Sequence, residues 1–315
     1  MDAHDVVQSV NVPNPNNTSP NLPQPLLSTT TTMSTFLRLR APRVLPRLLP
    51  LTTTRTIGTF GYTQSKSLIY TDYGAPPSVL SLHSHSISPA AGTDILIRFL
   101  ASPINPADIN QIEGVYPSKP PLTTALGTAL PAAVPGNEAV VEVISTGASV
   151  PKDVFKPGDR AIMARTAFGT WRTHAMTDAS ALQRIDEKFA GITNIQAATV
   201  AVNPCTAYRM LKDFVPLEQG GWFIQNGANS GVGRAAMQLA RKWGWRSVNV
   251  VRGREGFEEL EAELKGLGAD LVVKEEELGR ELKQRIKGLT GGKGIRLGFN
   301  CVGGKATTNL IRQLG

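Results

Sequence analysis

Between Gly221 and Arg254 the sequence runs GGWFIQNGANSGVGRAAMQLARKWGWRSVNVVRGR, and no other stretch limits the fold as tightly. Trp222 to Gln225 is a short apolar run closed by Asn226-Gly227, with the length and flanks of a strand. Val232, Ala235, Ala236, Leu239, Ala240 and Trp243 then recur at helical spacing. Ser247 to Val251 is a second strand-like, valine-rich run. Gly227, Gly231 and Gly233 lie between the first strand and the helix, where they permit a tight turn and close backbone approach. The helix N-terminus then turns its free N–H groups and positive dipole end toward a phosphate. The spacing is not the strict G-x-G-x-x-G; its position between a strand and a helix is what gives it weight. The competing reading is a turn that holds no ligand.

A dinucleotide-binding unit that takes NAD usually carries an acid about twenty residues on, bonded to the ribose 2′-hydroxyl. Here the second strand ends in Arg252-Gly253-Arg254, with Glu255 only after it. Two planar, permanently charged guanidiniums suit a 2′-phosphate, so NADPH is the expected cofactor. The alternative is that both arginines sit on a solvated loop. Beyond them the pattern repeats: helices are expected over 255–267, 275–289 and 305–314, and strands over 269–273 and 295–302. Alternating strands and helices predict a doubly wound parallel sheet.

Upstream the texture differs. Residues 66–185 read as short strands between Pro/Gly turns, with candidates at Ile95 to Leu100, Ala139 to Ile144 and Arg160 to Met163 and no long helix between them. Residues 122–134 read as a loop, and a helical stretch near Ile195 to Val200 leads to another from Tyr208 to Phe214. Residues 1–32 are rich in Asn, Pro, Ser and Thr and are expected to be disordered, with two glycosylation sequons that are expected to be silent. From Met33 to about residue 60 there are arginines, hydroxyls and leucines and no acid, the composition of a mitochondrial transit peptide.

The net charge of +8 invites a nucleic-acid reading, but Arg38, Arg40, Arg43, Arg47 and Arg55 supply five of those charges from the targeting segment alone. No aromatic-basic stripe accompanies them, so no nucleic-acid partner is expected. No apolar run approaches the ~18 residues of a membrane helix, so no membrane span is expected. Two cysteines, Cys205 and Cys301, are too few for a disulfide framework or a thiolate metal site, and His83 and His85 read as solvated rather than as ligands.

Seven blocks carry a resemblance: SPINPADINQIEGVYP at 102–117, VPGNE at 134–138, FGTWRTHA at 168–175, NPCTAYRML at 203–211, QNGANSGVG at 225–233, NVVR at 249–252 and NCVGGK at 300–305. From about residue 66 to its end the chain resembles the zinc-free medium-chain dehydrogenase/reductases, specifically the mitochondrial trans-2-enoyl-thioester reductases. The resemblance implies an α/β architecture: a GroES-like β-rich domain followed by a doubly wound Rossmann domain. The expected division is a disordered extension and mitochondrial transit peptide over 1–62, a GroES-like catalytic domain over 63–195, and an NADPH-binding Rossmann domain over 196–315. It also implies NADPH-dependent reduction of an enoyl thioester, carried on acyl carrier protein or coenzyme A, in mitochondrial fatty-acid synthesis in the matrix. A homodimer is expected by analogy. In zinc-dependent relatives the GNE block reads Gly-His-Glu; Asn137 replaces that ligand, so no catalytic zinc is expected. The resemblance assigns the catalytic role to Tyr116. It assigns cofactor contacts to Asn203, to Asn229, Ser230, Gly231 and Val232, and to Arg252, Gly253 and Arg254. The family often has Asp at the middle of that last triplet, so Gly253 is a departure.

The chemistry fits a tyrosine. Hydride addition at the β-carbon builds negative charge on the thioester oxygen, and the α-carbon then needs a proton. A hydroxyl with a pKa near ~10 can donate that proton at neutral pH. Phe168 and Trp171 are candidates to line an acyl pocket, although aromatic residues in strands more often belong to a core. An NADPH:quinone reductase and a non-catalytic NADPH-binding protein remain as alternatives. Only four strands of the six in a Rossmann sheet are expected, the last over 295–302. The Rossmann domain is therefore expected to be incomplete at its C-terminus, and the chain a truncated product or incomplete gene model with little or no reductase activity.

Overall fold

The structure is a computed structural model that describes residues 61–315. The expected extension and transit peptide, except for Gly61 and Tyr62, lie outside the described residues.

The N-terminal part is antiparallel. β1 (Thr63–Ile69) pairs with β2 (Ser81–Ile87) across a short helix, α1 (Pro76–Val79). The main sheet has five strands: β3 (Ile95–Ala101), β4 (Val140–Thr146), β5 (Arg160–Met163), β6 (His174–Thr177) and β7 (Leu182–Arg184), in the order β6-β3-β4-β5-β7. Alternation decides its faces. Ile95, Ile97, Val141 and Val143 turn into a core with Phe155, Ala161 and Ala175. Arg98, next after Ile97, points outward and pairs with Glu142 on the neighbouring strand at 2.5 Å. The three strands expected from the sequence are all present, β3 and β4 shifted by one or two residues.

The helix that matters most for the site was not expected. Pro106–Ile112 forms a seven-residue helix, α2, inside the SPINPADIN block. Pro106 at its first turn has no N–H to leave unsatisfied. The side chain of Asp108 then accepts the backbone N–H of Asn105 at 2.7 Å, closing the N-terminus. Two helices lead into the second half: α3 (Asn194–Thr199) and α4 (Asn203–Asp213), the latter starting five residues before the expected stretch.

The C-terminal part is a four-stranded parallel sheet in the order β10-β9-β8-β11, built from β8 (Trp222–Asn226), β9 (Arg246–Val251), β10 (Leu271–Lys274) and β11 (Leu297–Phe299). Helices α5 (Gly231–Lys242), α6 (Phe257–Leu267), α7 (Arg280–Leu289) and α8 (Gly304–Ile311) alternate with and follow these strands. Both faces are covered, as a doubly wound sheet requires. Phe223 of β8 joins Ala207, Leu211, Ala236 and Leu239 on one face, while its neighbour Ile224 joins Leu282, Ile286 and Leu310 on the other. The strand order reverses beside β8: β9 and β10 lie on one side of it and β11 on the other. Ligands of such sheets bind at that switch point, outside the carboxyl ends of the strands.

Three sequence expectations need correction here. The helix expected to start at Glu255 starts at Phe257, because Gly256 has φ 76° and cannot continue a right-handed turn. The helix expected over 275–289 is broken. A 3₁₀ turn at Glu275–Glu277 comes first, closed by the Glu277 carboxylate accepting the Lys274 N–H at 2.7 Å, and Gly279 is extended before α7 begins. The strand expected over 295–302 shrinks to Leu297–Phe299, because Asn300 turns its side chain to Asn226 and to the N–H groups of Val302 and Gly303.

At the far end of α5, Trp243 meets Trp245 edge-on with ring centroids 5.0 Å apart, and Tyr208 of α4 stands against Trp243 at 5.5 Å. The Lys212 ammonium lies 4.3 and 4.8 Å from the two indole centroids.

Candidate active site and cofactor cleft

The loop from Gly227 to Ser230 leaves β8 at the switch point and feeds α5. Ser230 caps the helix, its hydroxyl accepting the Gly233 N–H at 3.2 Å. Glycine is required at two places for different reasons. Gly227 has φ 58°, and a Cβ there would stand 2.5 Å from the Cys301 sulfur. A Cβ on Gly233 would overlap the carbonyl of Ala228, so helix and loop approach here at backbone distance. Across the loop, the Asn226 amide donates to Asn300 and its oxygen accepts the Cys301 N–H, both at 2.8 Å. These bonds hold the ends of β8 and β11 in register and place the two switch-point loops side by side.

A cleft of about 330 Å³ opens between this loop and the end of β9. Asn229 lines it on one side, Arg252, Gly253 and Arg254 on the other, with Leu260 and Glu275 at the margin. Arg252 and Arg254 are exposed and form no ion pair among the described residues, so two guanidiniums border the opening with their hydrogen-bonding edges free of a carboxylate partner. A glycine-floored loop at a helix N-terminus, faced by two free cations, suits a phosphorylated dinucleotide. The sequence-assigned residues Asn229, Arg252, Gly253 and Arg254 converge on this cleft. Ser230, Gly231 and Val232 sit at the helix start beside it. Asn203 reaches the same helix start from α4: its side chain would lie 2.8 Å from a Cβ on Gly231.

Asn203 is itself held from the antiparallel half. Its amide donates to Asn105 Oδ1 at 3.2 Å. Asn105 in turn donates to Glu138 at 3.1 Å, and the other Glu138 oxygen accepts the Val202 N–H at 2.9 Å. Glu138 is 2 % exposed. Its burial pushes its carboxyl above the ordinary carboxylate range; the bonds from Val202 and Asn105 oppose that shift, and nearby Asp108 adds to it. Asp108, fully buried, is also pushed up by burial, against the pull of its bonds from Asn105 and Asn137. Asn105, Asp108 and Glu138 had no individual role in the sequence reading. The blocks INPADIN and PGNE contain them, but only three-dimensional contact shows that Asn105 and Glu138 bridge the two halves and that Asp108 holds Asn105 in place.

Asn137 is fully engaged. Its nitrogen donates to Asp108 at 2.6 Å and to Gln111 at 2.7 Å, and its oxygen accepts the Ala167 N–H at 2.7 Å. This donor set does not fit zinc, whose sites need thiolate, imidazole or free carboxylate ligands. Among the described residues no three His, Cys, Asp or Glu side chains stand together as a metal group.

Tyr116 follows α2, in a turn where its N–H donates to Asn110 O at 3.1 Å; its side chain is 38 % exposed and it is not among the residues lining the cofactor cleft. The structure thus brings the cofactor residues together and keeps Tyr116 on a separate loop of the antiparallel half. Trp171 lines an apolar groove with Leu68, Phe99, Leu100 and Ile104, and its indole donates to Pro103 O at 3.3 Å. Phe168 packs instead on Phe99, with ring centroids 6.2 Å apart.

Comparison with known proteins matches this architecture. Residues 91–210 match the alcohol dehydrogenase GroES-like domain, and residues 231–315 the family described as zinc-binding dehydrogenase. The mitochondrial enoyl-[acyl-carrier-protein] reductase of Schizosaccharomyces pombe is 44% identical over 252 residues, 79% of this chain and 67% of that protein. The structure of the mitochondrial 2-enoyl thioester reductase Etr1p/Etr2p heterodimer from Candida tropicalis aligns with a TM-score of 0.76 at 41% identity, covering 80% of this chain and 72% of that one. A complex of Etr1p with NADP and crotonyl-CoA aligns equally well, with a TM-score of 0.76 at 39% identity over 80% and 72% of the two chains. The chain spans about two thirds of the length of the curated relatives it matches, 67% of the S. pombe protein and 64% of the Yarrowia lipolytica one. The fold, the glycine-floored switch-point cleft and these identities agree: the chain belongs to the mitochondrial enoyl-[acyl-carrier-protein] reductase family, within the medium-chain dehydrogenase/reductase superfamily.

Proposed function

We propose that this mitochondrial protein uses NADPH to reduce the double bond of trans-2-enoyl thioesters, giving saturated acyl thioesters for fatty-acid synthesis. The observation that carries the reading is the switch-point cleft lined by two guanidiniums that form no ion pair among the described residues. The relatives' names and the NADP/crotonyl-CoA complex of Etr1p support the substrate class. Arg252 and Arg254 grip the 2′-phosphate. The loop at Asn229 to Val232 receives the pyrophosphate, and Asn203, braced by Asn105, fixes that loop against the catalytic half. When bound, NADPH supplies a hydride with its electron pair to the β-carbon. The chain must then stabilise negative charge on the thioester oxygen and deliver a proton to the α-carbon. Tyr116, with its hydroxyl on an exposed turn, takes that role. The acyl thioester is carried on acyl carrier protein or coenzyme A, and two copies of the chain form a dimer.

The test is direct. Purified protein is assayed for NADPH oxidation with crotonyl-CoA and with a quinone: turnover with crotonyl-CoA alone supports the reading, the reverse pattern would assign it to quinone reduction, and NADPH binding with no turnover would match the low activity expected from the sequence. Replacing Arg252 and Arg254 together by Ala should weaken NADPH on the order of tenfold or more, from charge-assisted bonds of about 1.5–3 kcal/mol each, and leave NADH nearly unchanged. Equal weakening of both cofactors would show general damage instead of a lost phosphate contact.

A further inference from the structure

The geometry points to Glu276 as a residue that sets cofactor selectivity by holding a negative charge beside the 2′-phosphate grip. This rests on the reading of Arg252 and Arg254 given above. The observation comes from Gly253, the middle of the Arg-Gly-Arg triplet. A Cβ built there would stand 2.9 Å from Glu276 Oε2 and 3.4 Å from both the carboxyl carbon and the other oxygen. The carboxylate therefore lies against the backbone between the two arginines, in the space a side chain at 253 would need. Its own position comes from the 3₁₀ turn Glu275–Glu277 at the end of β10, whose strand is paired with β9 in register from Leu271 with Val248 to Lys274 with Val251. That pairing carries the turn to the end of β9, where the triplet begins.

The three acids of the turn divide their work. Glu277 is spent locally, accepting the Lys274 N–H. Glu275 lines the cleft. Glu276 is exposed, forms no ion pair among the described residues, and faces the triplet. Lys274, the nearest cation in sequence, does not neutralise it, because its ammonium is turned onto the Phe257 ring at 4.5 Å. A phosphate held by Arg252 and Arg254 sits in the field of this carboxylate, whereas the 2′-hydroxyl of NADH does not feel it as a charge. Like charges a few ångströms apart at a protein surface repel appreciably even in water. Glu276 therefore penalises NADPH specifically and narrows the preference that the arginines create.

The experiment is a fluorescence titration of NADPH and NADH on wild type and Glu276→Gln, at low and at high salt. Glu276→Gln keeps size and removes charge. The NADPH-to-NADH affinity ratio should rise about threefold to tenfold at low salt, and the rise should shrink as salt screens the pair. An unchanged or lower ratio overturns the inference. Glu277→Gln controls for disturbance of the turn: it should leave the ratio alone, and a rise equal to that of Glu276→Gln would show an unspecific charge effect and overturn it too. Arg252→Ala with Arg254→Ala in the same titration separates the two levels. If that variant leaves the ratio untouched, the 2′-phosphate reading has failed; if it lowers the ratio while Glu276→Gln does nothing, only the role of Glu276 has failed.

Discussion

Replacing Glu138 by Ala removes an acceptor on which both halves of the molecule depend. In the wild type its two oxygens take the Val202 N–H and the Asn105 amide, on a side chain that is 2 % exposed. The truncation leaves two donors without partners, each costing about 1–3 kcal/mol where water cannot reach it. Losing the buried carboxylate returns part of this, because burial already disfavours its charge. The net loss at neutral pH is about 2–4 kcal/mol of folding stability, read by chemical denaturation. Asn105 also orients Asn203 against the α5 N-terminus, so NADPH affinity should fall together with stability. Glu138→Gln isolates the charge. The folded state holds the Glu138 proton more tightly than the unfolded state does, so wild type gives up stability as pH climbs from the ordinary carboxylate range through the raised one. Gln has no such slope, and the stability difference between wild type and Glu138→Gln should narrow over that climb. Wild-type stability and NADPH binding in Glu138→Ala would refute the bridging role; a constant gap across pH would refute the buried charge.

Two further outcomes follow from the same geometry. Gly233→Ala drives a methyl group into the Ala228 carbonyl, a backbone clash that no rotamer relieves, and should cost about 1–3 kcal/mol while weakening NADPH and NADH alike; a selective loss of NADPH would contradict it. Tyr116→Phe removes only the hydroxyl from an exposed turn, so NADPH titrations and the unfolding midpoint should stay at wild-type values while crotonyl-CoA turnover drops by roughly 10²–10⁴-fold, and near-normal turnover would take Tyr116 out of the chemistry.

The parallel half was legible because its signals are local. The short runs at 222–225 and 247–251 and the helical spacing from Val232 onward each mark one element, and the glycines between them announce the turn. The expectations that missed did so where a single residue overrides a pattern. Gly256 in a left-handed conformation delays α6, and Asn300 spends its side chain on Asn226 instead of extending β11. In the antiparallel half, β1 and β2 carry too few consecutive apolar residues to stand out: Lys66, His83 and His85 interrupt them, and their register depends on long-range pairing. Asn229, Arg252, Gly253 and Arg254, assigned by the family resemblance, meet in one cleft because the glycine loop and the arginines directly follow the neighbouring strands β8 and β9. The Glu138–Asn105–Asn203 chain was not legible, since its members are 33 and 98 residues apart and only the folded chain joins them.

The aromatic cluster at the end of α5 also makes the protein its own optical probe. The sequence has four tryptophans; Trp171 lies in the antiparallel half, while Trp222, Trp243 and Trp245 belong to the parallel one. Two indoles at 5.0 Å and 68° are close enough for their transitions to couple, giving a circular-dichroism band that reports the packing at the end of α5. A Trp171→Phe protein would report by emission on the parallel half alone. Melting followed through that coupled band and through the backbone signal would then reveal whether the two halves unfold in one step or in succession.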